Sequence, residues 1–436
     1  MRPLFPTKAT AMPHPAGAVA HRPRDPFTII VYATIFGVAA VPLHPFWLAT
    51  YLAWMLAGAW ALSTDSGLRT AILRDATLRR MTLIFAFMAV WMAIGVVGRG
   101  QFASGRTWSA TWNIVPVFLF AVTVIAATRR DAGLARALPL VAGVLVALGA
   151  LEAIVGRIFV EHDLWVLFPR LRLYGTGDNP VPSAAILAFG SAAAAIAVFA
   201  GRGRWRLLAL AALALNLAGL FLTYSRGPWM AFLLSTIIAL VLWRLPVGRL
   251  RIAIAAVMIV GAIAVPVGLV VAEPYLDQTG CSDRLQEENT LTASATDLCR
   301  TSHRLSIWRV VGTEIAAHPL FGAGPGTLVK HPFGQHPHNG YLSMAFYYGI
   351  PCALAYIALI LNALHACLTR PATPLRMLAL WVLVFATVFM ATDLANPVSF
   401  INSVYLYLWL PLALAVGWPR DGTPDGMRGP TGRSPA

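Results

Sequence analysis

The chain consists of long blocks of apolar residues separated by short polar segments. Twelve blocks approach the roughly 20 residues that a helix needs to cross a bilayer. They are continuously apolar and do not alternate with polar residues, which favours helices over a membrane β-barrel. The predicted spans are 27–43, 46–62, 81–98, 113–128, 137–156, 184–200, 207–224, 228–243, 252–272, 341–367, 377–395 and 402–418.

Composition agrees with this pattern and excludes several other classes of protein. Hydrophobic residues make up 58% of the chain and charged residues 12%. A soluble domain is nearer about 45–50% apolar and about 25% charged. A soluble enzyme, a disordered chain and a fibrous protein are therefore excluded. The sequence predicts an all-α polytopic membrane protein of about twelve transmembrane helices.

The basic residues indicate how these helices are oriented. If the N-terminus is cytoplasmic, 22 of the 33 Lys and Arg fall in inside segments. Those segments carry a net charge of +16 and the rest of the chain −1, which together give the formal +15. An excess of Lys and Arg in short loops marks the cytoplasmic side. We predict cytoplasmic termini, and the positive charge needs no nucleic-acid partner.

The predicted spans divide the chain into five parts. The N-terminal segment is polar and Pro-rich, with no apolar core typical of a cleavable signal peptide. Two outside loops are long, and long loops are more often functional than connective. The parts are a cytoplasmic tail at 1–26, spans one to nine at 27–272 with an outside loop near 157–183, a large outside loop at 273–340, spans ten to twelve at 341–418, and a disordered tail at 419–436.

The large outside loop contains two of the four cysteines, Cys281 and Cys299. Both would face an oxidising compartment, so they are candidates for a disulfide; two free thiols are the alternative. The other two, Cys352 and Cys367, fall in a predicted span, where cysteine behaves as a small apolar residue.

The same loop ends in a helical stretch, a glycine run and a histidine cluster. Apolar residues at three-to-four spacing predict a helix over 297–317, which Pro319 ends. The glycine run 322–326 follows a helix and lacks the Lys-Ser/Thr ending of a phosphate loop, so it predicts a turn. His338 then lies at the outside surface of the membrane, where the tenth predicted span begins. The cluster contains His331, His336 and His338. No Cys or carboxylate lies near these histidines at the spacing of metal ligands, so we predict no metal site. A structural role for His338 is the alternative to a catalytic one.

Arginine is scarce on the outside, which makes Arg226 informative. It lies in a very short turn, 222–228, between two apolar spans. An arginine at that depth needs a partner or a water-filled cavity, unless its side chain reaches up to lipid head groups. Guanidinium matches phosphate with a planar, permanently charged fork. Several such groups around one histidine suit a diphosphate substrate with a base beside it.

Four segments resemble the O-antigen ligase family, within the wider O-antigen ligase/polymerase superfamily. The resemblance extends over residues 27–418. The segments are Thr223-Tyr-Ser-Arg226-Gly, Arg304-Leu-Ser-Ile-Trp308 running on to His318–Gly326, His338-Asn339-Gly-Tyr-Leu342, and a weaker one, Arg172-Leu-Tyr-Gly-Thr-Gly-Asp-Asn-Pro180.

The resemblance implies a GT-C-like glycosyltransferase in the inner membrane of a Gram-negative bacterium. It would transfer O-antigen from undecaprenyl diphosphate to a sugar hydroxyl of lipid A-core on the periplasmic side, without a metal or other cofactor. Partners would be these two substrates and membrane lipids, with the enzyme acting as a monomer. His338 would be the general base and the arginines would bind the diphosphate. The implied site residues are His338; Arg226, Arg304, Arg170 and Arg172; and, in support, Asn339, Tyr341 and Tyr174.

Three other functions compete with the ligase. An O-antigen polymerase and a protein O-oligosaccharyltransferase would use the same donor and differ in acceptor. The chain has no large soluble acceptor domain, which favours ligase or polymerase. A lipid-linked sugar flippase would place ionisable residues near mid-membrane and show related halves. The polar residues gather instead at the outside rim, which favours an enzyme.

Overall fold

The computed structural model describes residues 25–40, 44–100, 105–161, 180–223, 225–276, 303–331, 336–370 and 373–418. Every regular element within these ranges is helical. The helices are α1 Pro26–Ala40, α2 His44–Thr64, α3 Ser66–Arg74, α4 Ala76–Gly98, α5 Gly105–Trp112, α6 Ile114–Arg130, α7 Ala132–Glu161, α8 Pro180–Ala200, α9 Gly203–Leu222, α10 Arg226–Arg244, α11 Arg249–Leu276, α12 His303–Ala317, α13 Gly340–Tyr348, α14 Ile350–Thr369, α15 Pro374–Met390, and a π-helical turn Tyr405–Trp409 that continues into α16 Leu410–Gly417.

The predicted membrane character is confirmed. Among the described residues seven helices are long and apolar enough to cross a membrane: α4, α6, α7, α8, α9, α10 and α14. Three shorter apolar helices accompany them, at Pro26–Ala39, Pro374–Met390 and Tyr405–Gly417. A helix overlaps each of the twelve predicted spans. The chain is a polytopic membrane protein, and the count of twelve spans stays a prediction.

Small residues allow α7, α8 and α9 to approach closely. A Cβ placed on Gly143 of α7 would lie 2.9 Å from the Ala194 backbone of α8. The side-chain amide of Asn216 on α9 donates to the Gly143 carbonyl of α7 at 3.0 Å. Close approach of this kind and interhelical hydrogen bonds are how helices associate in lipid. The bundle is therefore tight on this side.

Helix α15 is central to the bundle. All its residues from Leu375 to Met390 are buried. Burial on every side is typical of a helix at a core position. Its end, at Met390, opens into a short polar turn at residues 391–394. The predicted span 377–395 therefore ends earlier than expected, and its last residues, including Asp393, lie in this turn.

The predicted span 341–367 is not one helix. It is broken at Gly349, whose φ of +88° is a left-handed value that ends α13 before α14 begins. The segment after α12 packs into the break: the Ile350 amide donates to the Pro319 carbonyl at 2.8 Å, and the Ala323 amide to the Phe346 carbonyl at 2.6 Å. A Cβ on Gly349 would collide with the Leu320 carbonyl. Residues 319–323 therefore pack against the break between α13 and α14.

Two predictions in the large loop are confirmed. The described part of the helix predicted over 297–317 is present as α12, His303–Ala317, and residues 297–302 lie outside the described residues. The glycine run turns the backbone, with φ of +66°, +105° and +83° at Gly322, Gly324 and Gly326. The Trp91 indole of α4 donates to the Leu320 carbonyl at 3.0 Å, and Arg99, directly after α4, donates to the Phe321 carbonyl. The loop is thus fastened to the bundle before the chain reaches His338.

Several predicted features cannot be placed. Arg170, Arg172, Tyr174, Cys281 and Cys299 lie outside the described residues. Cys352 and Cys367 of α14 are buried free thiols, as predicted.

Candidate active site

The Asp393 carboxylate joins two of the predicted site residues. One oxygen lies 3.3 Å from His338 Nδ1, and the other accepts from Arg304 Nη2 at 3.1 Å. The Asp393 side chain is 13% exposed, against 29% for Arg304 and 38% for His338. The carboxylate is thus the inner member of the group, and the side chains of Arg304 and His338 lie on its solvent side.

The end of α15 positions Asp393. The Thr392 and Asp393 amides both donate back to the Phe389 carbonyl, at 3.1 and 3.0 Å, which closes the last turn. The next residue, Leu394, has a φ of +106°, and its amide donates to the Asp393 carboxylate at 2.8 Å. Ser343 of α13 donates to the Leu394 carbonyl at 3.2 Å. A left-handed backbone at leucine is strained, and such strain is concentrated at functional sites.

His338 is held from two directions. Its own φ is +49°, a second left-handed value at a non-glycine residue. Immediately before it, the Pro337 carbonyl accepts from the Trp308 indole of α12 at 2.9 Å. Immediately after it, Asn339 donates to the Ala391 carbonyl at 2.7 Å. The loop helix α12 and the end of α15 therefore both fix the histidine backbone.

Asn339 is also the N-cap of α13. Its side-chain oxygen accepts from the amides of Tyr341 and Leu342, both at 3.0 Å. An Asn cap satisfies amide groups that the first helical turn leaves without partners. Tyr341, also predicted to support the site, points into the bundle instead, where its hydroxyl donates to the Thr387 carbonyl at 2.9 Å. Asn339 therefore joins the start of α13 to the Ala391 carbonyl after α15, whereas the Tyr341 hydroxyl joins α13 to α15 itself.

Arg226 is the first residue of α10 and lies in the turn predicted for it. Buried hydroxyl groups shape this turn: Thr223 donates to the Leu220 carbonyl at 2.7 Å and accepts from the Ser225 amide at 3.4 Å. A Cβ on Gly227 would lie 3.6 Å from the Thr392 hydroxyl oxygen. The turn that carries Arg226 therefore adjoins the turn that carries Asp393. The α10 N-terminus adds partial positive charge there.

Two groups at the site have shifted pKa values. Burial by itself would raise the pKa of Asp393, but the hydrogen bond with His338 and the charge of Arg304 outweigh it and hold the pKa below its ordinary 3.8. Burial, helped by the neighbouring His338, lowers the pKa of His336, whose Nδ1 is 3.2 Å from the Tyr347 hydroxyl. At neutral pH Asp393 is therefore ionised and His336 is neutral.

The arrangement of Arg304, Asp393 and His338 determines which of their nitrogen atoms can contact a substrate. With the Nδ1 proton directed at the Asp393 carboxylate, Nε2 is the imidazole nitrogen left to accept a proton. Arg304 uses one of its five N–H donors on Asp393, and guanidinium has further donors for an anion. Among the described residues, no three His, Cys, Asp or Glu side chains form a group that could hold a metal. The chemistry that these side chains offer is base catalysis beside an anion site.

Asp393 was not among the predicted site residues. Its contacts with Arg304 and His338 join residues that are far apart in the chain. A carboxylate at the end of a long apolar block is expensive and often functional. Asp393 has such a position in the sequence, but nothing in the sequence indicates that its carboxylate contacts His338 and Arg304.

Comparison with protein families finds a match to the O-antigen ligase family over residues 211–357. The resemblance to the O-antigen ligase/polymerase superfamily is confirmed. The matched segment is about a third of the chain and includes Arg226, Arg304 and His338, whereas Asp393 lies beyond it. The match supports a function of the O-antigen ligase or polymerase type, a glycosyltransferase-like activity. Comparison with curated proteins gives no match.

Proposed function

We propose that this protein is an O-antigen ligase of the bacterial inner membrane. It transfers O-antigen polysaccharide from undecaprenyl diphosphate to a sugar hydroxyl of lipid A-core, at the periplasmic face, with both termini in the cytoplasm. The observation that carries the proposal is the Arg304–Asp393–His338 group beside the Arg226 turn. A base and an anion site together are what transfer from a diphosphate donor requires.

The proposed step forms one bond and breaks one. The acceptor hydroxyl oxygen attacks the anomeric carbon of the donor sugar, and His338 Nε2 takes the hydroxyl proton. The bond from the anomeric carbon to the diphosphate oxygen breaks, and its electron pair leaves with undecaprenyl diphosphate. Arg226 and Arg304 offset the charge that grows on the leaving group. Direct attack inverts the anomeric configuration.

Asp393 acts through its two partners and does not itself touch the reacting atoms. Its carboxylate holds the Nδ1 proton, which fixes the tautomer of His338 and stabilises the imidazolium that forms after proton transfer. It also fixes Arg304, so that the remaining guanidinium donors are ready for the diphosphate. Asp393 is therefore a positioning residue, and Asn339 and Trp308 position the same histidine through its backbone.

The proposal also includes five residues that lie outside the described residues. Arg170 and Arg172 are proposed to assist at the diphosphate and Tyr174 to support them. Cys281 and Cys299 are proposed to form a disulfide in the large loop. Mass spectrometry of peptides from the non-reduced protein tests the disulfide, and the appearance of both cysteines as free thiols would contradict it.

The test is transfer in vitro with a defined undecaprenyl-diphosphate-linked glycan. Three acceptors are compared: lipid A-core, a second lipid-linked repeat unit and a pilin. The ligase predicts product with lipid A-core. Product only with the repeat unit would identify a polymerase, and product only with the pilin a protein O-oligosaccharyltransferase.

The role of His338 is tested in the same assay. His338→Ala should abolish transfer while binding of the lipid-linked donor is retained, because the base is lost and the arginines remain. His318→Ala is the matched control, since His318 is exposed at the end of α12. Transfer by His338→Ala at the wild-type rate would exclude His338 as the base.

A further inference from the structure

A π-helical turn follows the irregular segment 391–403 that contains Asp393. The turn spans Tyr405–Trp409, and its defining hydrogen bond runs from the Leu410 amide to the Tyr405 carbonyl, five residues back. All five residues of the turn are buried. Single π-helical turns are rare and occur frequently at functional sites. The turn is thus a packed element close to the candidate active site in the chain.

Two aromatic residues of this turn hold the segment 391–403 by their polar tips. The Tyr405 hydroxyl donates to the Ser399 carbonyl at 3.2 Å. The Trp409 indole donates to the Pro397 carbonyl at 3.0 Å. Both aromatic side chains are fully buried, and buried polar groups need such partners. Tyr405 and Trp409 therefore fasten the middle of the segment.

Tyr407, between these two residues, reaches the start of the segment instead. Its side chain is 1% exposed. Its ring packs edge-on against Phe389 of α15, with ring centroids 5.5 Å apart and an angle of 82° between the ring planes. The Phe389 carbonyl is the group that accepts from the Asp393 amide at 3.0 Å. This ring contact therefore fixes Tyr407 relative to the turn that carries Asp393.

The Tyr407 hydroxyl has two polar neighbours. It forms a hydrogen bond with the Ser403 side chain and lies within electrostatic reach of the Asp393 carboxylate. An ionised carboxylate can only accept hydrogen bonds, whereas either of two hydroxyl groups can donate to the other. The favourable arrangement therefore has Ser403 donating to the Tyr407 oxygen, with the Tyr407 proton on the Asp393 side. A dipole at a buried position acts strongly because little water screens it.

We propose that Tyr407 is a positioning residue of the candidate active site. Its hydroxyl dipole stabilises the Asp393 carboxylate from the buried interior, whereas Arg304 and His338 contact the carboxylate from the more exposed side. Tyr407 thereby reduces the negative potential that Asp393 presents to His338, and it sets the pH above which His338 is free to take a proton. This inference rests on the proposed function, because it takes His338 as the base.

The test is the pH dependence of kcat/KM for the lipid-linked donor, measured with the wild type and Tyr407→Phe. Phenylalanine keeps the ring contact and loses only the hydroxyl. Without that dipole, Asp393 holds the Nδ1 proton of His338 more tightly, so the imidazolium persists to higher pH. The acid limb of the profile should move up by about half a pH unit, which lowers kcat/KM on that limb about threefold. The other charged or titratable neighbours of this pair, Arg304 and His336, are the same in both proteins.

Tyr405→Phe is the matched control. It also removes a buried hydroxyl from the π-helical turn, but that hydroxyl bonds to the Ser399 carbonyl, and its electrostatic neighbour is Tyr51 instead of Asp393. Its acid limb should lie at the wild-type pH. Fluorotyrosine in place of Tyr407 is a stronger hydrogen-bond donor of nearly the same size, so it should move the acid limb to lower pH. This second variant keeps the test decisive if Tyr407→Phe does not fold.

Two results would overturn the proposal. One is an acid limb of Tyr407→Phe at the wild-type pH, and the other is an equal shift in Tyr405→Phe. A second readout separates this inference from the proposed function. Carbethoxylation of His338 by diethyl pyrocarbonate, followed by mass spectrometry over the same pH range, needs no transfer. If the wild type transferred glycan to none of the acceptors, the proposed function would fail, and the His338 modification profile would still decide the role of Tyr407.

Discussion

Replacing Asp393 with Asn tests the arrangement at the candidate active site most directly. Asparagine has nearly the same shape and keeps one oxygen that accepts a hydrogen bond. It removes the negative charge that lies 3.1 Å from Arg304 and 3.3 Å from His338. It also offers an N–H₂ group to His338 Nδ1, which would favour the tautomer with its proton on Nε2. That tautomer cannot accept the proton of the acceptor hydroxyl.

The size of the effect follows from distance and exposure. Two unit charges 3.1 Å apart interact by about 5 kcal/mol at an effective dielectric constant of about 20. The side chains of Arg304 and His338 are 29% and 38% exposed. Solvent therefore reduces the energies of the Arg304–Asp393 and His338–Asp393 interactions well below that value. We expect about 1–2 kcal/mol to be lost from transition-state stabilisation. That corresponds to a rate about 5- to 30-fold lower, since about 1.36 kcal/mol is a factor of ten.

Two measurements separate a positioning role from a structural one. Initial rates over a range of donor concentrations should show a lower kcat, from the misdirected histidine, and a higher KM, from the released Arg304. Transfer by Asp393→Asn with wild-type kcat and KM would refute the reasoning. Loss of folded protein on size-exclusion chromatography would instead show a structural role.

The pH dependence of stability gives an independent check. The pKa of Asp393 is held below its ordinary 3.8, so the ionised carboxylate stabilises the native state above that pH. This contribution is lost as the pH falls below 3.8 and through the depressed pKa of the native state. The difference in unfolding free energy between wild type and Asp393→Asn should thus shrink as the pH falls below about 4. A constant difference down to about pH 2 would contradict the ion pairing.

Three further substitutions test other parts of the structure. Arg226→Lys keeps the charge but loses the planar fork, so donor KM should rise about tenfold; full activity would indicate an arginine that only anchors the turn. Gly349→Ala should lower the unfolding free energy by about 3 kcal/mol in a denaturant titration, because φ is +88° there and no space exists for a Cβ. Gly261→Ala is the control and should change the unfolding free energy little, because a Cβ at Gly261 would have no described atom within 4 Å. Trp308→Phe removes the 2.9 Å bond to the Pro337 carbonyl and should lower kcat by about fivefold, with unchanged kcat arguing against this contact.

Helix positions were largely predictable from the sequence because the signal is local. An apolar block of about 20 residues must satisfy its own backbone in lipid, and a helix does so whatever its neighbours are. The turn at Arg226 and the helix before Pro319 followed from equally short patterns. The break at Gly349 was missed because the residues on both sides are apolar, so hydropathy runs through it. The Gly349-Ile-Pro351 sequence was the available clue.

The site was only partly predictable. His338, Arg226 and Arg304 were selected because polar groups are scarce at the outer rim of a membrane protein. The sequence could not show that they converge, and it did not reveal the role of Asp393.

Local sequence patterns are enough to predict a polytopic helical membrane protein with polar residues concentrated at one rim. Which of those polar residues contact one another depends on the packing of the helices. Asp393 lies 89 residues from Arg304 and 55 from His338 along the chain. Its contacts depend on where α12, α13 and α15 end relative to one another. That is set by side-chain packing between distant helices, which leaves no periodic trace in any one segment.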